Sequence, residues 1–237
     1  MIKNLIFDLD NTIIKDDDKK DSQTYKEALK NCGYNEEKYY KIYVVIDEYD
    51  KSLTEQNMYY NEKDMLDFIN KKLETQYEIK LIDELLKVAG KYWTKEILIQ
   101  KEIIEKLALK YNLYVYTNYF TIAQEERLKN IGYLKYFKKV FGADKYGSKP
   151  FKKSLEKILN ELNAKPNECI MIGDDKSRDI LVANKVNMKS ILFDFDGRRD
   201  KKICDVKDYI ILRDFNNIFE ELSKIENYVN LWYNKYM

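Results

Sequence analysis

Six short, continuously apolar runs alternate with amphipathic stretches along this chain, and that alternation limits its fold more than any other feature. The runs are Leu5-Ile6-Phe7, Leu113 to Tyr116, Val140-Phe141, Cys169 to Ile172, Ser190 to Phe193 and Tyr209 to Leu212. A strand that is apolar on both faces has to be covered on both, which describes a parallel sheet between helical layers. The intervening stretches supply those helices. Phe151, Leu155, Ile158, Leu159 and Leu162 share one stripe, with Pro150 expected in the first helical turn, where a proline is tolerated. Ile99, Ile103, Ile104 and Leu107 make a second stripe, and Ile218, Phe219, Leu222 and Ile225 a third. The expected fold is α/β, with a Rossmann-like parallel sheet as its core.

One segment departs from this rhythm. Between the first run and the helix expected near residue 97 lie about 80 residues of helical periodicity without a clear strand, where a crossover needs only about a dozen. Tyr39, Tyr40, Tyr43 and Val44 read as one buried stripe, Met65, Leu66, Ile69 and Leu73 as another, and Leu81, Leu85, Leu86 and Ala89 as a third. The chain therefore divides into a core of residues 1–15 and 95–237 and an inserted all-helical module of residues 16–94. The hinge leading in is expected at Asp16-Asp17-Asp18-Lys19-Lys20-Asp21 and the return between Gly90 and Lys95. Ten of the 21 tyrosines fall in the insertion. They read either as interhelical packing or as an aromatic surface for a base or sugar, and the composition favours packing.

Composition narrows the chemistry. Lys and Arg number 42 against 41 Asp and Glu, a net charge of +1, so no long-range field draws in nucleic acid or an anionic membrane. Cys32, Cys169 and Cys204 show no CxxC spacing, which disfavours a disulfide framework and a cysteine zinc site and fits a reducing cytoplasm. No apolar run approaches the roughly 18 residues that a bilayer requires. Acidic residues already appear at position 8, unlike a signal peptide. The 237 residues contain no histidine, which removes Ser-His-Asp, Cys-His and histidine-ligated metal chemistry together. Carboxylates, hydroxyls, lysines and a hard metal remain.

Four clusters at the ends of the apolar runs carry that chemistry. Asp8-Leu9-Asp10-Asn11-Thr12 places two carboxylates where open α/β sheets bind ligands, able to hold Mg²⁺ or to divide attack and proton transfer between them. An Asx-turn in a solvated loop is the plainer reading. Thr117-Asn118 offers a hydroxyl and an amide to phosphate oxygens, or simply a helix cap. Lys149, in Gly147-Ser148-Lys149-Pro150, is either a point charge for a phosphate and a carboxylate or ordinary surface. Gly173-Asp174-Asp175-Lys176-Ser177-Arg178-Asp179 brings more carboxylates to the same edge after a sharp glycine turn. Each is weak alone, but their order and their placement on four run ends make a pattern.

That pattern, with intervals of 109, 32 and 25 residues between Asp8, Thr117, Lys149 and Asp174, resembles the haloacid dehalogenase superfamily of hydrolases. The resemblance extends over the whole chain, and the long first interval resembles the family's helical cap. It implies an aspartyl-phosphate mechanism. Asp8 would attack phosphorus, Asp10 would protonate the leaving group and then activate water, and Lys149 would orient Asp8 and stabilise charge. Thr117 and Asn118 would bind the phosphoryl oxygens. Mg²⁺ would lie on Asp8, Asp174 and the backbone carbonyl of Asp10, with Asp179 in support and Asp175 a less certain neighbour. True dehalogenases of the superfamily lack the second aspartate, so Asp10 implies a phosphatase. Gln124, Leu128 and the Tyr136-Phe137 segment after Thr117-Asn118 look like the branch containing nucleotidases and sugar-phosphate phosphatases. The partner implied is a small phosphorylated metabolite, and the motifs are indifferent to oligomeric state.

Two competing readings use the same residues: a phosphomutase, in which a sugar hydroxyl replaces water as acceptor, and a non-catalytic phosphate-binding protein. A phospho-accepting receiver is disfavoured because such domains are about half this length and carry no cap. Phe193-Asp194-Phe195-Asp196-Gly197 repeats the look of the first cluster, yet no Thr, Lys and acidic pair follow it in order. It is expected to be a loop beyond the fifth strand that borders the pocket.

Overall fold

The computed structural model describes residues 1–15, 18–92 and 96–236, with side chains described for 1–15, 22–92 and 96–227. Among them, six strands form one sheet: β1 (Asn4–Phe7), β2 (Asn112–Thr117), β3 (Phe137–Gly142), β4 (Cys169–Gly173), β5 (Lys189–Phe193) and β6 (Tyr209–Leu212). Every pairing is parallel and the order is β3-β2-β1-β4-β5-β6. The chain builds outward from β1 in one direction, then returns to β1's other side with β4. The crevice between the carboxyl ends of β1 and β4 is therefore the topological switch point, where open α/β sheets bind ligands.

Ten α-helices accompany the sheet among the described residues. They are α1 (Asp18–Asn31), α2 (Tyr39–Ser52), α3 (Glu62–Leu73), α4 (Lys80–Tyr92), α5 (Lys101–Lys110), α6 (Thr121–Asn130), α7 (Ala143–Tyr146), α8 (Lys152–Glu161), α9 (Leu181–Lys185) and α10 (Ile218–Tyr236). Strand side chains alternate between faces, and the two core clusters divide accordingly. Leu5 and Phe7 pack with Ile104, Leu107, Ile218 and Leu222 on one face, while Ile6, Tyr116 and Met171 pack with Leu155, Ile158 and Val182 on the other. Burial of each such side chain contributes about 1.5–3 kcal/mol. No helix is long and apolar enough to cross a membrane among the described residues.

Helices α1 to α4 lie between β1 and β2 in the chain and share a third apolar cluster, containing Leu29, Ile42, Ile69, Leu81 and Leu85. Tyr119, Phe120, Ala123 and Ala143 of the sheet-bearing part join it. The face of α2 differs from the expected tyrosine stripe. Ile42, Val45, Ile46 and Tyr49 are buried, while Tyr40 and Tyr43 are exposed. The aliphatic i, i+3, i+4 set governs because a tyrosine ring keeps its hydroxyl in water at little cost. Pro150 precedes Phe151, the N-cap of α8, and so stands outside the helix. The expected return hinge at Gly90 falls inside the last turn of α4, and residues 93–95 lie outside the described residues, as do 16 and 17 of the expected leading hinge.

Candidate active site

The loop after β1 turns within a few residues. Asp8 continues the sheet through its N–H to Ile172 O, 2.8 Å, and then Ile13 and Ile14 both donate to Leu9 O. Asn11 takes the left-handed conformation at φ 57°, which asparagine tolerates better than most residues. This tight turn brings Thr12 back so that its hydroxyl donates to Asp8 Oδ2 at 3.1 Å. The chain then leaves along residues 96–98, pairing Lys15 N with Glu96 O and Leu98 N with Ile13 O. Two aspartates are thus held at the edge with their backbone fixed on both sides.

Lys149 reaches this edge from the turn between α7 and α8. Its ammonium donates to Asp8 Oδ1 at 2.5 Å and to Asp179 Oδ1 at 2.6 Å, and it lies 5.4 Å from the centre of the Tyr116 ring. Asn118 braces that turn from β2's end, accepting from Lys149 N at 2.6 Å and donating to Lys149 O at 3.0 Å. Burial alone would lower the Lys149 pKa, but Asp179 and Asp8 overcome it and hold the ammonium above its ordinary value. Asp179 is placed by the turn after β4, where Asp175 N donates to its Oδ2 at 3.0 Å. Gly173 is required here, since a Cβ on it would meet the Asp179 carboxylate at 2.3 Å.

Asp8, Asp174 and Asp179 are all buried and offer carboxylate oxygens within 4.8 Å of one another. Burial pushes the Asp8 and Asp174 carboxyls up, and repulsion from neighbouring carboxylates adds to the rise, while Lys149 and Arg199 respectively act against it. Arg199 Nη1 lies 2.7 Å from Asp174 Oδ2. An all-oxygen, anionic donor set concentrated in so small a space suits a hard divalent cation such as Mg²⁺, and it suits metals that prefer nitrogen or sulfur poorly.

Asp10 has a different setting. Its Oδ1 accepts from Arg127 Nη2 at 2.5 Å and its Oδ2 from Gln124 Nε2 at 3.4 Å. Gln124 also donates to Thr117 Oγ1 at 2.8 Å and accepts from Arg127 Nη1 at 2.7 Å. The result is one polar network, buried at Gln124, Arg127 and Thr117 and open to the cavity at Asp10, that joins α6 to β2 and to the loop after β1. Because Thr117 accepts from Gln124, its own hydroxyl proton is directed elsewhere. All seven residues expected at the site, Asp8, Asp10, Thr117, Asn118, Lys149, Asp174 and Asp179, line a single cavity of about 220 Å³.

Three residues of the site escaped the sequence reading. Arg127 was the clearest loss, because its signal was present: on α6, Thr121, Gln124, Arg127 and Leu128 fall at i, i+3, i+6 and i+7 on the buried face. A charge on the buried face of a helix, among the polar Thr121 and Gln124, points to a partner. Arg178 and Arg199 also line the cavity, each in a run of charged residues that hides one cation among many. The loop at Asp194 lies beyond β5, as expected, and Asp196 borders an adjoining cleft of about 340 Å³ that shares Asp174, Asp175 and Arg199.

Residues 5–193 match the model of the haloacid dehalogenase-like hydrolases, and the chain belongs to that family. Among curated relatives, it is 29% identical to a glyceraldehyde 3-phosphate phosphatase of Methanothermobacter thermautotrophicus over 51% of this chain, which is 55% of that protein, about half its length. It is 27% identical to the Pyrococcus furiosus enzyme of the same name over 89% of each chain. It is 31% identical to a ribulose-1,5-bisphosphate 5-phosphatase of Halopiger xanaduensis over 40% of each. Among solved structures, a magnesium-bound hydrolase of the family from Bacillus subtilis superposes with a TM-score of 0.71 at 16% identity, covering 94% of this chain and 99% of that one. A 2-haloacid dehalogenase of Pseudomonas syringae pv. tomato superposes at 0.64 and 19% identity, covering 94% and 99%. The shared fold therefore does not separate phosphate from halide chemistry, and the distinction rests on the site.

Proposed function

We propose that this chain is a Mg²⁺-dependent phosphatase of small sugar phosphates, working through an aspartyl-phosphate on Asp8. The observation that carries the reading is the pairing of a buried Asp8, held by Lys149 and Thr12, with a second aspartate two residues on that has its own buried arginine. The first carboxylate is fixed for attack and the second is placed beside it for proton transfer. A halide leaving group has no use for the second. The names of the curated relatives support a sugar phosphate as substrate.

In this mechanism an Asp8 carboxylate oxygen forms a bond to phosphorus as the bond to the leaving-group oxygen breaks. Asp10 transfers its proton to that oxygen, then takes one from the water that attacks the phosphorus and releases Asp8. Arg127 and Gln124 hold Asp10 in reach of both positions. The Thr117 hydroxyl and the N–H of Asn118 not used by the Lys149 turn donate to the phosphoryl oxygens. Lys149 keeps Asp8 aimed and offsets charge on the transferring group, an effect that depends on fixed donors in a water-poor site. Asp8, Asp174, Asp179 and the Asp10 carbonyl would hold Mg²⁺, which supplies charge neutralisation at the phosphoryl oxygens. Residues 18–92 act as a cap that selects the substrate and excludes water.

The test is phosphate release from glyceraldehyde 3-phosphate, other sugar phosphates and a generic aryl phosphate, with Mg²⁺ or EDTA, for wild type and Asp8→Asn. Release that needs Mg²⁺ and vanishes in the variant is the expected result. Release that survives Asp8→Asn would overturn the assignment of the nucleophile. Transfer to a second sugar hydroxyl without free phosphate would make the protein a mutase.

A further inference from the structure

Three cations line the catalytic cavity, and they are not equivalent. Lys149 is bound by two carboxylates of the cavity wall, Asp8 and Asp179, and Arg199 by a third, Asp174. Arg178 takes its counter-ion from outside the cavity. Its Nη2 lies 2.6 Å from Oδ2 of Asp50, in the last turn of α2. A guanidinium carries five N–H donors, and the Asp50 contact is the one side-chain hydrogen bond that Arg178 makes among the described residues. Its side chain is 36% exposed, so the remaining donors are neither used nor sealed off.

The group is nevertheless held in place. Asp50 is 13% exposed and accepts a second hydrogen bond from the Tyr60 hydroxyl. The Tyr60 ring packs edge-on against Tyr119 and Phe120, the two residues that follow Thr117-Asn118. At its other end Arg178 directly precedes Asp179, the residue that anchors Lys149. Arg178 is thus fixed from the helical segment and from the β4 loop together, with further donors on the wall of the cavity that Asp8 also lines. A fixed but unsaturated guanidinium is the arrangement that recognises oxygen acceptors without a large ordering cost.

We propose that Arg178 is a specificity-determining residue that binds the leaving group of the substrate, donating to hydroxyl, carbonyl or anionic oxygens of a phosphorylated polyol, and that Asp50 positions it. The inference rests on the phosphatase reading and deepens it: the phosphoryl group is handled by Lys149 and Thr117, and the carbon skeleton by Arg178. An unsubstituted aryl phosphate, phenyl phosphate, presents no such oxygens beyond the ester oxygen common to both substrates, and the two substrate types separate the roles.

The experiment compares kcat and KM for glyceraldehyde 3-phosphate and for an aryl phosphate in wild type, Arg178→Ala, Arg178→Lys, Asp50→Asn and the Arg178→Ala/Asp50→Asn double variant. Hydrogen bonds from a charged donor set the expected loss in kcat/KM on the sugar phosphate at about 10- to 100-fold for Arg178→Ala, mostly in KM. The aryl phosphate should change by no more than about threefold, the range of a substitution that touches nothing essential. Arg178→Lys should recover part of the loss. Asp50→Asn should show a smaller loss on the same substrate and add nothing in the double variant. Equal losses on both substrates, or no loss on either, would overturn the proposal. Should Arg178→Ala fail to fold, the substrate dependence of Arg178→Lys and Asp50→Asn decides the matter. A wild type that hydrolyses neither compound would instead overturn the phosphatase reading beneath it.

Discussion

Two loops of this molecule begin alike and end differently. Asp8-Leu9-Asp10 and Asp194-Phe195-Asp196 each follow a buried strand, and each first aspartate donates its N–H to the neighbouring strand at 2.8 Å, Asp8 to Ile172 O and Asp194 to Leu212 O. Beyond that atom they diverge. Asp8 meets Lys149, 141 residues away, whereas Asp194 accepts from the N–H of Arg199, five residues on. Asp10 is paired with Arg127 across 117 residues, whereas Asp196 is paired with Arg198, two residues on. The first loop stands on β1, between two strands whose ends also carry polar side chains. The second stands on β5, between β4 and β6, and the cations nearest its aspartates come from its own stretch, Arg198 and Arg199, with Arg213 just past β6 at 3.7 Å from Asp194. A pair of aspartates becomes a reactive site through its neighbours across the sheet, and its own sequence does not decide that.

Substitutions can break this contrast. The largest expected effect on turnover is Asp8→Asn, which should leave no phosphate release above background in the Mg²⁺ assay, since it removes the attacking oxygen's charge. Lys149→Ala should follow with a loss of kcat of about 10²–10³-fold or more, the range for deletion of one transition-state donor. Arg199→Ala links the two loops, because this arginine lies 2.7 Å from Asp174. Removing its positive charge should tighten Mg²⁺ binding by about tenfold, as Coulomb repulsion at such range implies in a partly screened site, measured by calorimetry on the folded protein. Weaker binding would show instead that Arg199 orients Asp174. The smallest effect on turnover belongs to Asp194→Ala, which should retain Mg²⁺-dependent activity. It should lose about 1–3 kcal/mol of stability in urea unfolding, because the Arg199 N–H loses its acceptor. Abolished turnover with unchanged stability would reverse the roles of the two loops.

The sheet was legible in the sequence because its central strands β1, β4 and β5 are buried on both faces. All six runs fall within strands, and β1, β4 and β5 differ from them by one residue at most at either end. The edge strand β3 was read short, as Val140-Phe141 against Phe137–Gly142, because Lys138 and Lys139 are exposed and interrupt the apolar signal. An edge strand tolerates such residues where a central one does not. The candidate carboxylates Asp8, Asp10 and Asp174 were legible because they sit at or just beyond the ends of those runs. The arginines were harder to read. Arg178 and Arg199 acquire their meaning only from Asp50 and Asp174, partners fixed by tertiary folding. The outward tyrosines of α2 were misread because a ring with a hydroxyl at its tip satisfies a helical period on either face.

The position of β1 also has a consequence for the birth of the protein. The strand bearing Asp8, the proposed nucleophile, is made before the other strands and lies innermost, yet its partners begin at Asn112 and Cys169. At a synthesis rate of about 5–20 residues per second, Leu5 and its neighbours wait roughly 8–33 s for the second of them. Until Asn112 is made, the nascent chain carries the apolar run Leu5-Ile6-Phe7 with nothing to pair with, next to a helical segment able to pack early on its own cluster. A ribosome-bound chain halted before residue 112 should therefore hold compact helices beside an unpaired β1, the form in which this protein most needs a chaperone.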